Sequence, residues 1–301
     1  MSLLCDELIT LRDWLRWAVS RFTEAKLYFG HGCDNAYDEA IWLILHTLHL
    51  PHDRLGPFLD ARLTQEERRN VHDILHQRIA KRLPAAYLTK EAWLGHYRFH
   101  VDARVIVPRS YFANVLEENF APWIEDPEHI GSALDMCTGS GCLAILMAMT
   151  FPNATIDAID LSPEALAVAR QNIAEYGFEN RVTPIESNLF DALKTTGKRY
   201  DLIISNPPYV TQESMSNLPA EYRHEPVMAL AAGDDGLDIV HRLIAESGRH
   251  LNPGGLLAVE IGHNRHLVEA AYPELPLTWI DTADGEEKIF IIHREQLPLP
   301  H

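Results

Sequence analysis

The chain is poor in cysteine: Cys5, Cys33, Cys137 and Cys142 are its only four in 301 residues, and no C-x-x-C pair occurs. That excludes a disulfide framework and a thiolate metal site, and leaves reduced, mostly buried thiols as the expectation. Long apolar runs are missing too. No stretch approaches the roughly 18 residues a membrane span needs, and the N-terminus alternates apolar with charged residues, unlike a signal peptide, so a cytoplasmic protein is expected. Lys and Arg form no run longer than adjacent pairs such as Arg68-Arg69 and Lys81-Arg82, which argues against the basic patch of a nucleic-acid binder. The sixteen histidines, eight of them in residues 1–100, lead to no expected metal site. Internal repeats and low-complexity segments are absent.

What is present is 47% hydrophobic composition over 301 residues, enough for a large core and more naturally two domains than one. Acidity is unevenly placed. Residues 1–100 hold 13 Lys and Arg against 13 Asp and Glu, whereas residues 101–301 hold 13 against 30. An acidic domain repels phosphate backbones and attracts basic partners, although acidity also simply aids solubility. Helical periodicity runs over about 3–28, 34–49 and 64–82, with Leu8, Leu11, Trp14, Leu15 and Val19 on one face. Thr64 with Glu67 three positions on predicts a capping box. Aromatic residues around Gly95 predict a hairpin linker at 91–107. From 108 onward, short β-branched runs at 132–137, 155–160, 182–186, 201–205, 256–261, 276–281 and 288–293 alternate with helical patterns. Such alternation predicts a doubly wound α/β sheet with mostly parallel strands. The expected domains are therefore helical 1–90, hairpin linker 91–107 and α/β 108–301.

Directly after the first α/β strand comes Asp135-Met136-Cys137-Thr138-Gly139-Ser140-Gly141-Cys142, and Asp160 ends the second strand 21 residues after Gly139. Glycines there let backbone approach a ligand at a helix N-terminus, and Asp160 can accept from ribose hydroxyls. The glycine pattern alone fits NAD or S-adenosylmethionine. Asp135 tips the balance to S-adenosylmethionine, because a carboxylate at that point repels a pyrophosphate and attracts a methionine ammonium.

The strand over 201–205 runs into Asn206-Pro207-Pro208-Tyr209, at the end of an α/β sheet where ligands bind. Consecutive prolines stiffen the loop and remove two amide donors, so it presents acceptors. An amide or exocyclic amino nitrogen is a poor nucleophile because its lone pair is delocalised. Accepting its N–H groups at the Asn206 side-chain oxygen and the Pro207 carbonyl would hold the nitrogen and draw electron density back onto it. Tyr209 can lie against the flat face of the substrate. Outside this context the tetrapeptide is only a stiff turn.

With these motifs the sequence resembles the class I S-adenosylmethionine-dependent methyltransferases, and within them the bacterial protein-glutamine N5-methyltransferases of the HemK group, over nearly its whole length. Asp135 to Cys142, Leu218-Pro219-Ala220-Glu221-Tyr222-Arg223-His224-Glu225-Pro226 and Val107-Pro108-Arg109-Ser110 place the resemblance nearest the branch that modifies a glutamine of large-subunit ribosomal protein uL3. The resemblance implies a helical substrate-recognition domain, a hairpin linker and a Rossmann-like seven-stranded domain. It also implies that Asn206, Pro207, Pro208 and Tyr209 hold the glutamine. Asp135, Thr138, Gly139, Ser140, Gly141, Asp160, Leu161, Asn188, Leu189 and Asn206 would then bind the cofactor. Asn188 departs from the aspartate usual in the family; its carbonyl oxygen can still accept from the adenine amino group, and weaker or altered cofactor binding is expected. Arg109 is read as a brace between domains through carboxylates such as Glu225, with a substrate anchor as the other reading. Competing assignments are glutamine methylation of peptide-release factors, adenine N6-methylation of nucleic acid, which the charge disfavours, and a non-catalytic assembly factor. No direct nucleic-acid or membrane partner is expected.

Overall fold

The computed structural model describes residues 6–282 and 285–298; Cys5 and positions 3–5 of the first expected helix lie outside them. The chain divides into two compact units. One comprises residues up to Ala92 with Val101–Ala103 and Pro219–His224, and the other comprises Trp93–His100, Arg104–Leu218 and the chain from Glu225 on.

The first unit is helical: α1 (Leu11–Glu24), α2 (Ala36–Thr47), α3 (Gln65–Lys81) and the short α4 (Ala85–Thr89). The expected helical stretch is broken rather than continuous: residues 6 and 7 are helical, and α1 begins anew where Thr10 and Asp13 form a capping box, the Asp13 amide donating to Thr10 Oγ1 at 3.2 Å and the Thr10 amide to Asp13 Oδ2 at 2.8 Å. The expected box at the start of α3 is present, with the Glu67 amide donating to Thr64 Oγ1 at 3.2 Å and the Thr64 amide to Glu67 Oε2 at 2.7 Å. Leu11, Trp14, Leu15, Ala18 and Phe22 turn inward from α1 onto Leu43, Ile44, Val71 and Leu75. A buried ionic knot also lies in this unit. Arg78, 1% exposed, donates to Glu39 at 2.6 Å, to Glu221 at 3.3 Å and to the Tyr28 carbonyl at 2.8 Å, while Arg82 reaches Glu221 at 3.0 Å.

A two-stranded hairpin, β1 (Glu91–Leu94) and β2 (Tyr97–His100), follows, turning at Gly95 as expected. The second unit is a seven-stranded sheet of β3 (Ser132–Met136), β4 (Thr155–Asp160), β5 (Val182–Glu186), β6 (Tyr200–Ser205), β7 (Leu251–Glu260), β8 (Thr278–Asp281) and β9 (Glu287–His293), in the order β5-β4-β3-β6-β7-β9-β8. Strands β5 to β7 of that order are parallel, and β9 and β8 add antiparallel. The helices are α5 (Phe112–Glu117), α6 (Cys142–Thr150), α7 (Pro163–Glu175), α8 (Gln212–Asn217), α9 (Asp238–Ser247) and α10 (Arg265–Ala271). Alternate residues serve opposite faces: Ala133, Leu202 and Ala258 pack with α6, whereas Leu134, Ile203 and Leu257 pack with α9. Helix α6 is buried from Cys142 through Ala148, which explains an apolar run with no polar stripe. The fold is that of a class I methyltransferase, as expected. Among the described residues no helix is long and apolar enough to cross a membrane.

The described cysteines are unpaired: Cys142 is buried, but Cys33 and Cys137 are only partly so, fewer than expected. Burial pushes the Cys33 and Cys142 thiols up to about 12 and Cys137 higher still, so all three stay protonated at neutral pH.

Candidate active site

The chain runs β3, β4, β5 outward and then returns to place β6 on the other side of β3. The carboxyl ends of β3 and β6 therefore flank the switch point of the sheet, where two loops diverge and leave a crevice. A cleft lies there, partly open to solvent. Thr138, Gly139, Ser140, Asp160, Leu161, Asn188, Leu189, Asn206 and Pro208 line it.

The glycine loop is held from two sides. Asp160 accepts from the Gly139 amide at 2.8 Å and from the Ser162 amide at 2.9 Å. Burial raises its pKa above the ordinary value, and the bonds from Ser162 and Gly139 oppose that rise. Gly139 and Gly141 have φ of +55° and +78°; a Cβ on Gly139 would meet nothing within 4 Å, whereas one on Gly141 would stand 3.1 Å from Ala169 Cβ. Gly139 is thus open toward the cleft, while Gly141 lets α6 approach α7. Asp135 does not line the cleft. It is fully buried beneath the loop, and its Oδ2 accepts from Thr138 Oγ1 at 2.5 Å and from the Ala144 amide at 3.0 Å. Its Oδ1 has no hydrogen-bond partner, and burial pushes the carboxyl up to about 7. The sequence reading put this carboxylate at the ligand; the structure gives it the work of bracing the loop, with one oxygen to spare.

Asn206 follows β6, and its Nδ2 donates to the Arg109 carbonyl at 3.3 Å. With the nitrogen so engaged, Oδ1 is the end left to accept. Pro207 is buried and Pro208 lines the cleft. Tyr209 is not among the cleft residues: its ring packs on Gly262, where a Cβ would come within 2.7 Å, and its carbonyl accepts from Asn264 at 2.7 Å. Arg109 forms a two-pronged pair with Glu225 at 2.7 and 2.6 Å, and Glu225 Oε1 also accepts from the Val107 amide at 2.9 Å. The brace through Glu225 is present, but it ties two stretches of the same unit rather than two domains. The motif from Leu218 to Pro226 thus divides its acids, Glu221 serving the ionic knot of the helical unit and Glu225 the Arg109 turn.

Asn188 Oδ1 accepts from Arg242 at 2.7 Å; a carbonyl oxygen has two lone pairs, so one acceptor position and the amide nitrogen remain for a ligand. The wall formed by Arg104, Val105, Ile106, Met228 and Ile239 carries no motif and was not legible in the sequence, and neither was Glu260. No metal site was expected, yet His46, His52 and Glu91 in the helical unit hold ligand atoms within 4.8 Å of one another, the one such group of three among the described residues. His46 Nδ1 already pairs with Glu91 Oε2 at 3.2 Å.

A glycine loop over a doubly wound sheet, an acid at the end of the second strand and a rigid acceptor loop after the fourth define a methyltransferase with a methyl-donor cofactor. A family model described as Methyltransferase small domain matches residues 114–221, and one described as PrmC N-terminal domain matches residues 13–89. The ribosomal protein uL3 glutamine methyltransferase of Bordetella pertussis is 56% identical over 97% of this chain and 97% of its own. That of Neisseria gonorrhoeae is 55% identical with the same coverage, and that of Burkholderia pseudomallei 54% identical over 96% of each chain. The chain belongs to the family of ribosomal protein uL3 glutamine methyltransferases. The crystal structure of the hMettl16 catalytic domain with a MAT2A 3′UTR hairpin superposes with a TM-score of 0.51 at 13% identity, over 75% of this chain and 80% of that one; this likeness concerns the fold alone.

Proposed function

We propose that this protein transfers a methyl group from S-adenosylmethionine to the side-chain amide nitrogen of a glutamine in ribosomal protein uL3. The observation that carries the reading is the orientation of Asn206: its nitrogen is spent on the Arg109 carbonyl, which leaves its oxygen to accept a substrate N–H beside Pro208. A glutamine amide offers two such hydrogens. Asn206 Oδ1 takes one and the Pro207 carbonyl the other, which keeps the amide plane fixed and favours charge localised on nitrogen as the new N–C bond forms. The proton leaves after that bond forms, when the nitrogen has become acidic, so a strong base is not needed.

The residues on the cleft suit the donor. Asp160 would accept from ribose hydroxyls, Gly139 leaves room for close approach, and Leu161 and Leu189 would cover adenine beside the Asn188 amide. Asp135, buried beneath the loop, would hold Thr138 and the start of α6 in place for the donor without touching it. When bound, S-adenosylmethionine supplies an electrophilic methyl on its sulfonium sulfur. The helical residues 1–90 would select the protein substrate, 91–107 link it to the catalytic residues 108–301, and the acidity of that last part would draw a basic ribosomal protein in the cytoplasm.

The test is methyl transfer from labelled S-adenosylmethionine to purified uL3, a release factor and naked RNA, with mass spectrometry locating the mark. A single labelled glutamine in uL3 is expected. Asn206→Ala should keep cofactor affinity within about twofold and slow turnover roughly a hundredfold; near-normal turnover would refute the acceptor role.

A further inference from the structure

Glu260 ends β7 one position after Val259, which pairs with Ser205 of β6. It therefore stands beside Asn206 at the carboxyl edge of the sheet, yet it does not line the cleft. It is 1% exposed. Its Oε2 accepts from Ser110 Oγ at 2.6 Å and from the Tyr111 amide at 3.0 Å, while its Oε1 has no hydrogen-bond partner. A buried carboxylate is expensive, and the expense usually finds a use. Burial pushes this one up to about 7. The charged side chains nearby are engaged elsewhere: Arg109 with Glu225 at 2.6 Å, and Lys288 with the Tyr111 hydroxyl at 2.7 Å and Glu286 at 3.0 Å.

What Glu260 holds is the turn Arg109–Tyr111, and the first carbonyl of that turn receives the Asn206 amide. The turn is fixed at one end by the Arg109–Glu225 pair and at the other by Glu260. We propose that Glu260 is a positioning residue for methyl transfer: by holding the 109–111 turn it keeps the Arg109 carbonyl under Asn206 Nδ2, and so keeps Asn206 Oδ1 turned toward the substrate amide. This rests on the reading that Asn206 holds the glutamine.

Both bonds to the turn end on one oxygen, so Glu260→Gln can keep them through its carbonyl and place its nitrogen where Oε1 has no partner. Glu260→Gln is expected to turn over within about threefold of the unaltered enzyme with the same pH profile. Glu260→Ala is expected to lose about tenfold or more in kcat, with cofactor Kd and substrate KM within about twofold. Ser110→Ala, which removes one bond and leaves the core packed, should move kcat in the same direction by a few-fold and serves if Glu260→Ala does not fold. The decisive comparison is Asn206→Ala/Glu260→Ala, expected to be no slower than Asn206→Ala alone because the two act through one interaction. Multiplied losses would show that Glu260 acts independently of Asn206. A Glu260→Gln variant as slow as Glu260→Ala, with one ionisation gone from the pH profile, would make Glu260 a proton acceptor and overturn the positioning role. Near-normal turnover of Asn206→Ala would instead remove the glutamine-holding reading itself, and this inference with it.

Discussion

Two glycines of the cofactor loop, two residues apart and both left-handed, should fail in opposite ways when each is given a methyl group. Gly139→Ala adds a Cβ that meets nothing within 4 Å at φ +55°, so the folded protein bears only the left-handed penalty, about 1–2 kcal/mol. That Cβ enters the cleft, and the loss should appear as cofactor affinity reduced by about tenfold or more. Gly141→Ala adds a Cβ 3.1 Å from Ala169 Cβ and 3.2 Å from its Cα at φ +78°. The left-handed penalty then combines with overpacking, typically 1–3 kcal/mol, for about 2–5 kcal/mol in total. At roughly 2–4 °C per kcal/mol for a unit of this size, the midpoint should fall about 4–20 °C. Calorimetric melting paired with titration calorimetry of S-adenosylmethionine measures both quantities. Ala169→Gly should relieve the crowding in Gly141→Ala but not the backbone penalty, giving a coupling of about 1 kcal/mol or more in the double-mutant cycle. If the two alanine variants lose stability equally, or if Ala169→Gly couples to neither, the close approach of α6 to α7 is not what requires Gly141.

A second expectation concerns pH. Burial pushes Asp135 and Glu260 from ordinary values of 3.8 and 4.5 up to about 7 each. Between those limits the folded protein binds more protons than the unfolded chain, so stability should fall as pH rises from about 4 to 7 and level off above. Denaturant unfolding of the ligand-free protein at pH 5 to 8 should therefore slope downward, and Glu260→Gln should remove up to about 3 kcal/mol of that slope; identical curves for the two proteins would show that Glu260 does not titrate there. A third expectation concerns the helical unit. Arg78→Met leaves Glu39 and Glu221, 2% and 0% exposed, without their buried guanidinium, and should cost about 3–5 kcal/mol; a denaturation midpoint within error of the unaltered protein would show that the knot is energetically idle.

Much of this fold is local and was legible as such. The two-residue alternation of strands, the 3.6-residue spacing of Leu11, Trp14 and Leu15, the Thr64–Glu67 box and the glycines after β3 each follow from the conformational preferences of a few neighbouring residues, so they survive in the sequence. The same holds for Asn206-Pro207-Pro208-Tyr209, whose stiffness comes from two consecutive pyrrolidine rings. The tertiary structure decided which partner each polar group took. Asp135 looked like a ligand carboxylate and became a buried brace because α6 lies over it. Asn188 drew Arg242, 54 residues on, as a donor to its oxygen. Tyr209 turned onto Gly262, and Glu260 found Ser110 across 150 residues. Such pairings depend on the strand order β5-β4-β3-β6-β7-β9-β8, which brings distant segments to one edge, and no spacing along the chain encodes a neighbour supplied by the return of another strand.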